Sequence, residues 1–246
     1  MVLGMEENMN SGIVRPPTLA VVVAENIREA VFRGTLKQGE RLQEIELSRT
    51  YNVSRGTIRE ALRLLQDDGM VRIFPHRGAL VSKLTARTIG ETYSLRILLE
   101  AYAVEQAITK KTYTKQVLAT LQALLSQMEK LRKTGDYYQT MQVDFQFHNQ
   151  LCSPCDHHML MEALRTAQTS ARLCMATLTI VGSKIPADPR QHRPILKAVQ
   201  EGDVKEARQA LTFHLEQTRD ELLALMEKGN SNGGRLAAAV DAIAPK

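Results

Sequence analysis

The turn Asn52-Val53-Ser54-Arg55, and the amphipathic run after it that Gly69 cuts short, constrain the fold of this chain more than any other segment. Ser54 suits a helix N-cap, because its hydroxyl can accept from the free N–H groups of the first turn. The helix it opens is expected over 55–67, with Ile58, Leu62 and Leu65 at inward spacing. Gly69 ends it by taking positive φ without a steric penalty. A short helix over 44–51 precedes the turn, and Val22, Val23, Ile27 and Val31 mark another over 18–33. Two β-prone pieces follow, 70–74 and 79–82, hinged by Pro75-His76-Arg77-Gly78. Helix, helix, turn, helix, hairpin: this order predicts a winged helix-turn-helix over residues 18–84.

Beyond Leu84 no strand signal rises above background. Helical periodicity over 88–110, 115–133, 136–152, 158–180, 190–200 and 204–228 predicts an all-helical bundle of about six helices for residues 85–228. Leu95, Leu98, Leu99 and Tyr102 form the apolar side of its first helix. Gly202-Asp203-x-x-Glu206 combines a helix stop with the cap of the next helix. Residues 1–17 read as a disordered tail and 229–246 as a flexible one. The fold class is mainly α.

Composition narrows the setting. The 246 residues are 43% hydrophobic and 24% charged, as in a globular domain. No apolar run reaches a membrane span and no N-terminal segment resembles a secretion signal, so a cytoplasmic protein without membrane partners is expected. Three cysteines do not build a disulfide framework. Cys152-Ser-Pro-Cys155 has the spacing of half a zinc site, but lacks a second pair and is read as chance. The net charge is +5, and it is concentrated: residues 48–83 hold seven basic side chains against three acidic ones. That bias points to a polyanionic partner for this segment.

Arg55, Arg59 and Arg63 recur every fourth residue along the 55–67 helix. Alone, such a row is an ordinary solvated face. Joined to the Ser54 cap, the Gly69 stop and a basic hairpin tip, it reads as a recognition helix for double-stranded DNA. The quoted residues Leu36-x-x-Gly39-x-x-Leu42-x-Glu44, Asn52-Val53-Ser54-Arg55-x-x-Ile58-Arg59-Glu60-Ala61-Leu62, Gly69-Met70-Val71 and Arg77-Gly78-Ala79-x-Val81 resemble the DNA-binding domain of the GntR family of bacterial transcription regulators. The resemblance implies DNA contacts at Arg55, Thr57, Arg59, Arg63, Arg77 and Gly78, with Arg55 and Arg59 facing base edges. Gly56-Thr57 departs from the Thr-Pro pair common in that family, which removes one contacting side chain.

Three histidines share the apolar sides of three different helices: His148, His192 and His214. Asp144 lies one turn before His148 on the same face. One such histidine is usually a hydrogen-bonded core residue. Three with a carboxylate, which is costly to bury alone, point to a divalent metal, zinc foremost and nickel or manganese as alternatives. The His157-His158 pair is read as polar surface. Asp144-x-x-Phe147-His148-x-x-Leu151, His192-x-x-Ile195-Leu196 and His214-Leu215 resemble the metal-binding FCD effector domain of FadR-like members of that family. This resemblance implies a small organic or sugar acid held at the metal, with Arg96 facing it. Arg96 and Glu100 also fit an ordinary i, i+4 ion pair. Gln191 replaces the glutamate usual before the histidine, which alters the surroundings of the metal.

These features predict a ligand-responsive transcriptional regulator, a repressor and homodimer on a pseudo-palindromic operator, and not an enzyme. Two alternatives stay open. One is a metal-dependent hydrolase or lyase with a nucleic-acid-targeting head; the other is a regulator whose metal is purely structural.

Overall fold

The computed structural model describes residues 16–74, 78–180 and 188–231. Of the expected tails 1–17 and 229–246, residues 1–15 and 232–246 lie outside these, as does the hairpin tip with Arg77, whereas 229–231 continue the last helix to Ser231 in place of a flexible tail. The head is built from α1 (Leu19–Phe32), β1 (Arg41–Leu42), α2 (Glu44–Tyr51), α3 (Arg55–Asp67), β2 (Val71–Phe74) and β3 (Gly78–Val81). The bundle follows as α4 (Ala86–Thr109), α5 (Lys115–Thr134), α6 (Tyr137–Cys152), α7 (His158–Ile180), α8 (Pro189–Glu201) and α9 (Val204–Ser231). This is a winged helix-turn-helix followed by an all-helical bundle.

Local chemistry sets the boundaries of α3. Ser54 Oγ accepts from the Thr57 amide at 3.1 Å. At the other end Gly69 takes φ +74°, and the Met70 and Gly69 amides return to the Leu65 and Gln66 carbonyls at 2.9 Å each. Those two bonds satisfy carbonyls that the helix end leaves open. Ile58, Ala61, Leu62 and Leu65 then pack against Val23, Ile27 and Val31 of α1, all nearly or fully buried. Each large side chain buried there contributes roughly 1.5–3 kcal/mol. The wing is antiparallel, pairing Val71 with Val81 and Phe74 with Gly78. One strand escaped the sequence reading. β1 adds Arg41 and Leu42 to β3, giving the order β1-β3-β2, and two residues are too few to show alternation.

The bundle shows which way the apolar side of α4 turns. Leu95, Leu98 and Tyr102 of α4 point outward, with 43%, 67% and 45% of their surface exposed. Ile89, Tyr93, Arg96, Glu100, Ala103, Val104 and Ala107 face inward instead. The apolar stripe therefore belongs to the outside, because two charged residues occupy the inner face. Cys152 and Cys155 are buried and free, packed with Ala103, Ala107, Leu160 and Leu164. His157 Nδ1 accepts from the Leu160 amide at 3.2 Å and so caps the start of α7. Among the described residues no helix is long and apolar enough to cross a membrane.

Head and bundle are joined by polar contacts as well as by the linker. Arg28 of α1 pairs with Asp68 at the end of α3, and Asp68 lies 3.8 Å from Arg165 of α7. The Tyr138 hydroxyl of α6 donates to Glu29 of α1, and Arg33 stacks 5.0 Å from the Tyr138 ring. Asp68→Ala removes one of the two carboxylates that Arg28 holds, the other being Glu25, and is expected to lower stability by about 1 kcal/mol in urea denaturation. An unchanged midpoint would show that the pair contributes nothing.

Candidate functional site

Two sets of chemistry-bearing residues occupy separate parts of the fold. On the head, Arg55 and Arg59 lie on the exposed face of α3, more than half exposed. They line an open cleft of ≈ 470 Å³ together with Arg41, Glu44, Arg63 and Gly78. Gly78 has φ +82°, and a Cβ there would press on the Leu42 carbonyl at 3.4 Å. Thr57 Oγ1 is 2.9 Å from Ser54 Oγ, so its hydroxyl also belongs to the cap. Glu44, at the start of α2, accepts from Arg59 Nε at 2.9 and 3.0 Å and from Arg55 Nη2 at 3.3 Å. Its carboxyl is held below its ordinary value, chiefly by the Arg59 hydrogen bond.

In the bundle, α6 brings Asp144 and His148, α8 brings His192, and α9 brings His214. All four are buried, and one ligand-capable atom from each lies within 4.8 Å of the others. The three imidazoles are oriented by acceptors behind them. Glu100 Oε2 lies 2.7 Å from His148 Nδ1, the Asp188 carbonyl 3.1 Å from His192 Nδ1, and Gln191 Oε1 2.9 Å from His214 Nδ1. Gln191 Nε2 donates to Gln217 Oε1 at 2.9 Å, which fixes the amide so that its oxygen faces the imidazole. Each Nδ1 is thus placed to donate to an oxygen, which leaves Nε2 as the nitrogen that faces inward.

That arrangement is incomplete without a cation. His148 Nε2 and His214 Nε2 face each other at 3.1 Å. Among the described residues His192 Nε2 has no hydrogen-bond partner, although Asp144 Oδ1 is 2.9 Å away. Converging lone pairs and a carboxylate repel unless a positive charge sits among them. Burial, with His192 and His148 beside it, drives the His214 pKa well below the ordinary histidine value and keeps that ring neutral. Three imidazole nitrogens and one carboxylate oxygen are ligands that zinc, nickel or manganese accept. The donor set fits a divalent metal.

Glu100 is the residue whose part the sequence did not disclose. It is fully buried, takes Arg96 Nε on Oε1 at 2.7 Å and His148 on Oε2. Burial raises its pKa, but Arg96 and then His148 outweigh that and keep it ionised. Arg96 is 1% exposed, with its guanidinium 5.3 Å from the rings of both Tyr93 and Phe145. The ion pair with Glu100 exists, yet Arg96 Nη2 and the Tyr93 hydroxyl have no hydrogen-bond partner among the described residues. Glu100→Gln keeps the shape but weakens the acceptor behind His148. It is expected to reduce zinc affinity about 10–100-fold in a chelator competition while the helical content is unchanged. An unaltered affinity would remove Glu100 from any role in orienting the histidine.

Comparison with known proteins agrees with this layout. Residues 19–81 match the bacterial regulatory proteins of the gntR family, and residues 91–217 match the FCD domain. The HTH-type transcriptional regulator YdhC of Bacillus subtilis is 28% identical over 207 residues, covering 84% of this chain and 92% of that protein. The gluconate operon transcriptional repressor of Bacillus subtilis is 30% identical over 137 residues, covering 56% of this chain and 55% of that protein. Among solved structures, McbR/YncC of E. coli superposes with a TM-score of 0.73 at 23% identity, over 84% of this chain and 98% of that one, and so shares the fold. With the FCD match covering more than half its length, the chain belongs to the GntR family of bacterial transcription regulators, in the group that carries an FCD domain, and is a DNA-binding regulator and not an enzyme.

Proposed function

We propose that this regulator is a repressor controlled by a small organic or sugar acid, which it binds beside a divalent metal in the bundle. The observation that carries the reading is the convergence of three imidazole Nε2 atoms and the Asp144 carboxylate on one buried point. Asp144, His148, His192 and His214 would hold the ion, with zinc the best match to imidazole and carboxylate ligands. When bound, it supplies a Lewis-acid anchor for a carboxylate. Arg96 supports an anionic ligand, because its Nη2 is buried with a hydrogen to donate and no acceptor for it among the described residues. A relative that represses a gluconate operon supports a sugar acid as one such ligand.

The head binds double-stranded DNA through Arg55, Thr57, Arg59, Arg63, Arg77 and Gly78, with the domain limits read as 18–84 and 85–228. A homodimer is supported by the outer face of α4. Leu95, Leu98 and Tyr102 are exposed there, and the Tyr102 ring lies 6.4 Å from the His157 ring. A contiguous apolar face of this kind is normally covered by a partner. A two-fold pair places two recognition helices on a pseudo-palindromic operator. The working compartment on this reading is the cytoplasm, where bacterial DNA lies.

Two outcomes check these statements. A thermal-shift screen of carboxylates and sugar acids is expected to yield stabilising ligands whose effect disappears with chelator and in His148→Ala. A protein that unfolds without metal yet shifts with no acid would make the metal structural only, and turnover of an acid would contradict the binding role. Leu98→Glu is expected to convert dimers to monomers in analytical ultracentrifugation while circular dichroism stays unchanged. A dimer that persists would place the interface elsewhere.

A further inference from the structure

Glu44 sets a negative charge among the arginines that face DNA, and its geometry is selective. Both carboxylate oxygens engage Arg59 through Nε alone, at 2.9 and 3.0 Å, while Oε2 also holds Arg55 Nη2 at 3.3 Å. Arg63, one turn further along α3, makes no ion pair or side-chain hydrogen bond among the described residues. Glu44 is placed firmly. It is the first residue of α2, where the helix dipole favours a carboxylate. Its side chain is 23% exposed, against 57% for Arg59, so the acid sits beneath the arginine and not in front of it.

Pinning Nε fixes the plane of the Arg59 guanidinium and leaves its two Nη groups as an outward fork. Such a fork matches two acceptors side by side, as on the O6/N7 edge of guanine. A single phosphate oxygen satisfies it less well and also meets the Glu44 charge behind it. We propose that Glu44 is a specificity-determining positioning residue. It presents Arg59 as a reader of guanine and weakens the attachment of the same arginine to the phosphate backbone. The carboxylate therefore sharpens sequence preference at the expense of general affinity. This rests on the reading that Arg59 faces base edges.

The test uses the full-length protein, duplexes selected by it from a random-sequence pool, and an unrelated duplex of equal length. Binding is measured by fluorescence anisotropy at several salt concentrations. Glu44→Gln is expected to bind the unrelated duplex several-fold more tightly and to lose about 5- to 10-fold of the preference for guanine at one position of the selected site. Glu44→Asp, which keeps the charge on a shorter arm, is expected to retain the weaker non-specific binding. In an Arg59→Ala background, Glu44→Gln should leave base preference unchanged, because its partner is gone. Selectivity unaffected by Glu44→Gln but lost in Arg59→Ala would overturn the role of Glu44 alone. Selectivity unaffected by either change would overturn the placement of Arg59 at a base. Equal weakening on both duplexes, with a lower melting temperature, would make Glu44 a purely structural residue and overturn the proposal.

Discussion

The buried Glu100 carboxylate is the contact around which the bundle is arranged. An ionised carboxylate out of water is unfavourable by several kcal/mol unless charge and hydrogen bonds surround it. Arg96 meets one oxygen and His148 the other, both within 2.7 Å. With Arg96 and Glu100 turned inward, the leucines of α4 are left on the opposite side, and α6 and α9 must pack where their histidines meet beside α4. The same carboxylate fixes which nitrogen of His148 carries the proton. One charged residue thus settles the rotation of a helix and the direction of a ligand lone pair.

How much could be read beforehand follows from how the residues act. The head was legible because its punctuation is local: Ser54 caps α3, and Gly69 and Gly78 take positive φ where other residues resist it. Periodicity also located the bundle helices to within a few residues, and the three histidines and Asp144 showed through their apolar neighbours. The two-residue β1 did not, since its only signal is the partner strand brought by the fold. The orientation of α4 stayed open, because periodicity identifies an apolar face without saying what covers it. Glu100 was hidden for a related reason. An i, i+4 Arg–Glu pair looks the same on a surface as in a core, and only packing distinguishes them.

The oxygen acceptors behind the histidines show the same limit. Gln191 stood out as a departure from the usual glutamate, but its partner could not be foreseen. In the fold its oxygen supports His214, 23 residues along the chain, and its amide nitrogen is held by Gln217. The Asp188 carbonyl serves His192 simply because it begins α8, while its side chain caps the same helix through the Arg190 amide at 3.0 Å. A helix start that is fixed at both backbone and side chain leaves the imidazole little freedom. The rigidity comes from local structure that any helix needs.

The placement of α6 relates the two sites mechanically. Its first turn carries Tyr138, which donates to Glu29 of the head helix α1, and its middle carries Asp144 and His148. Phe145, between them, is flanked by Arg96 from α4 and by Arg172 from α7, at 5.3 and 4.8 Å. The helix that would hold the ion therefore touches the head directly, without an intervening flexible segment. α4 starts shortly after β3 and carries Arg96 on one side and the exposed leucines on the other. A ligand can move this equilibrium only by the difference in its affinity for two arrangements. On the proposed reading that difference arises where α4 and α6 meet, so a small change in their contact alters both the seating of the head and the face offered to a second copy.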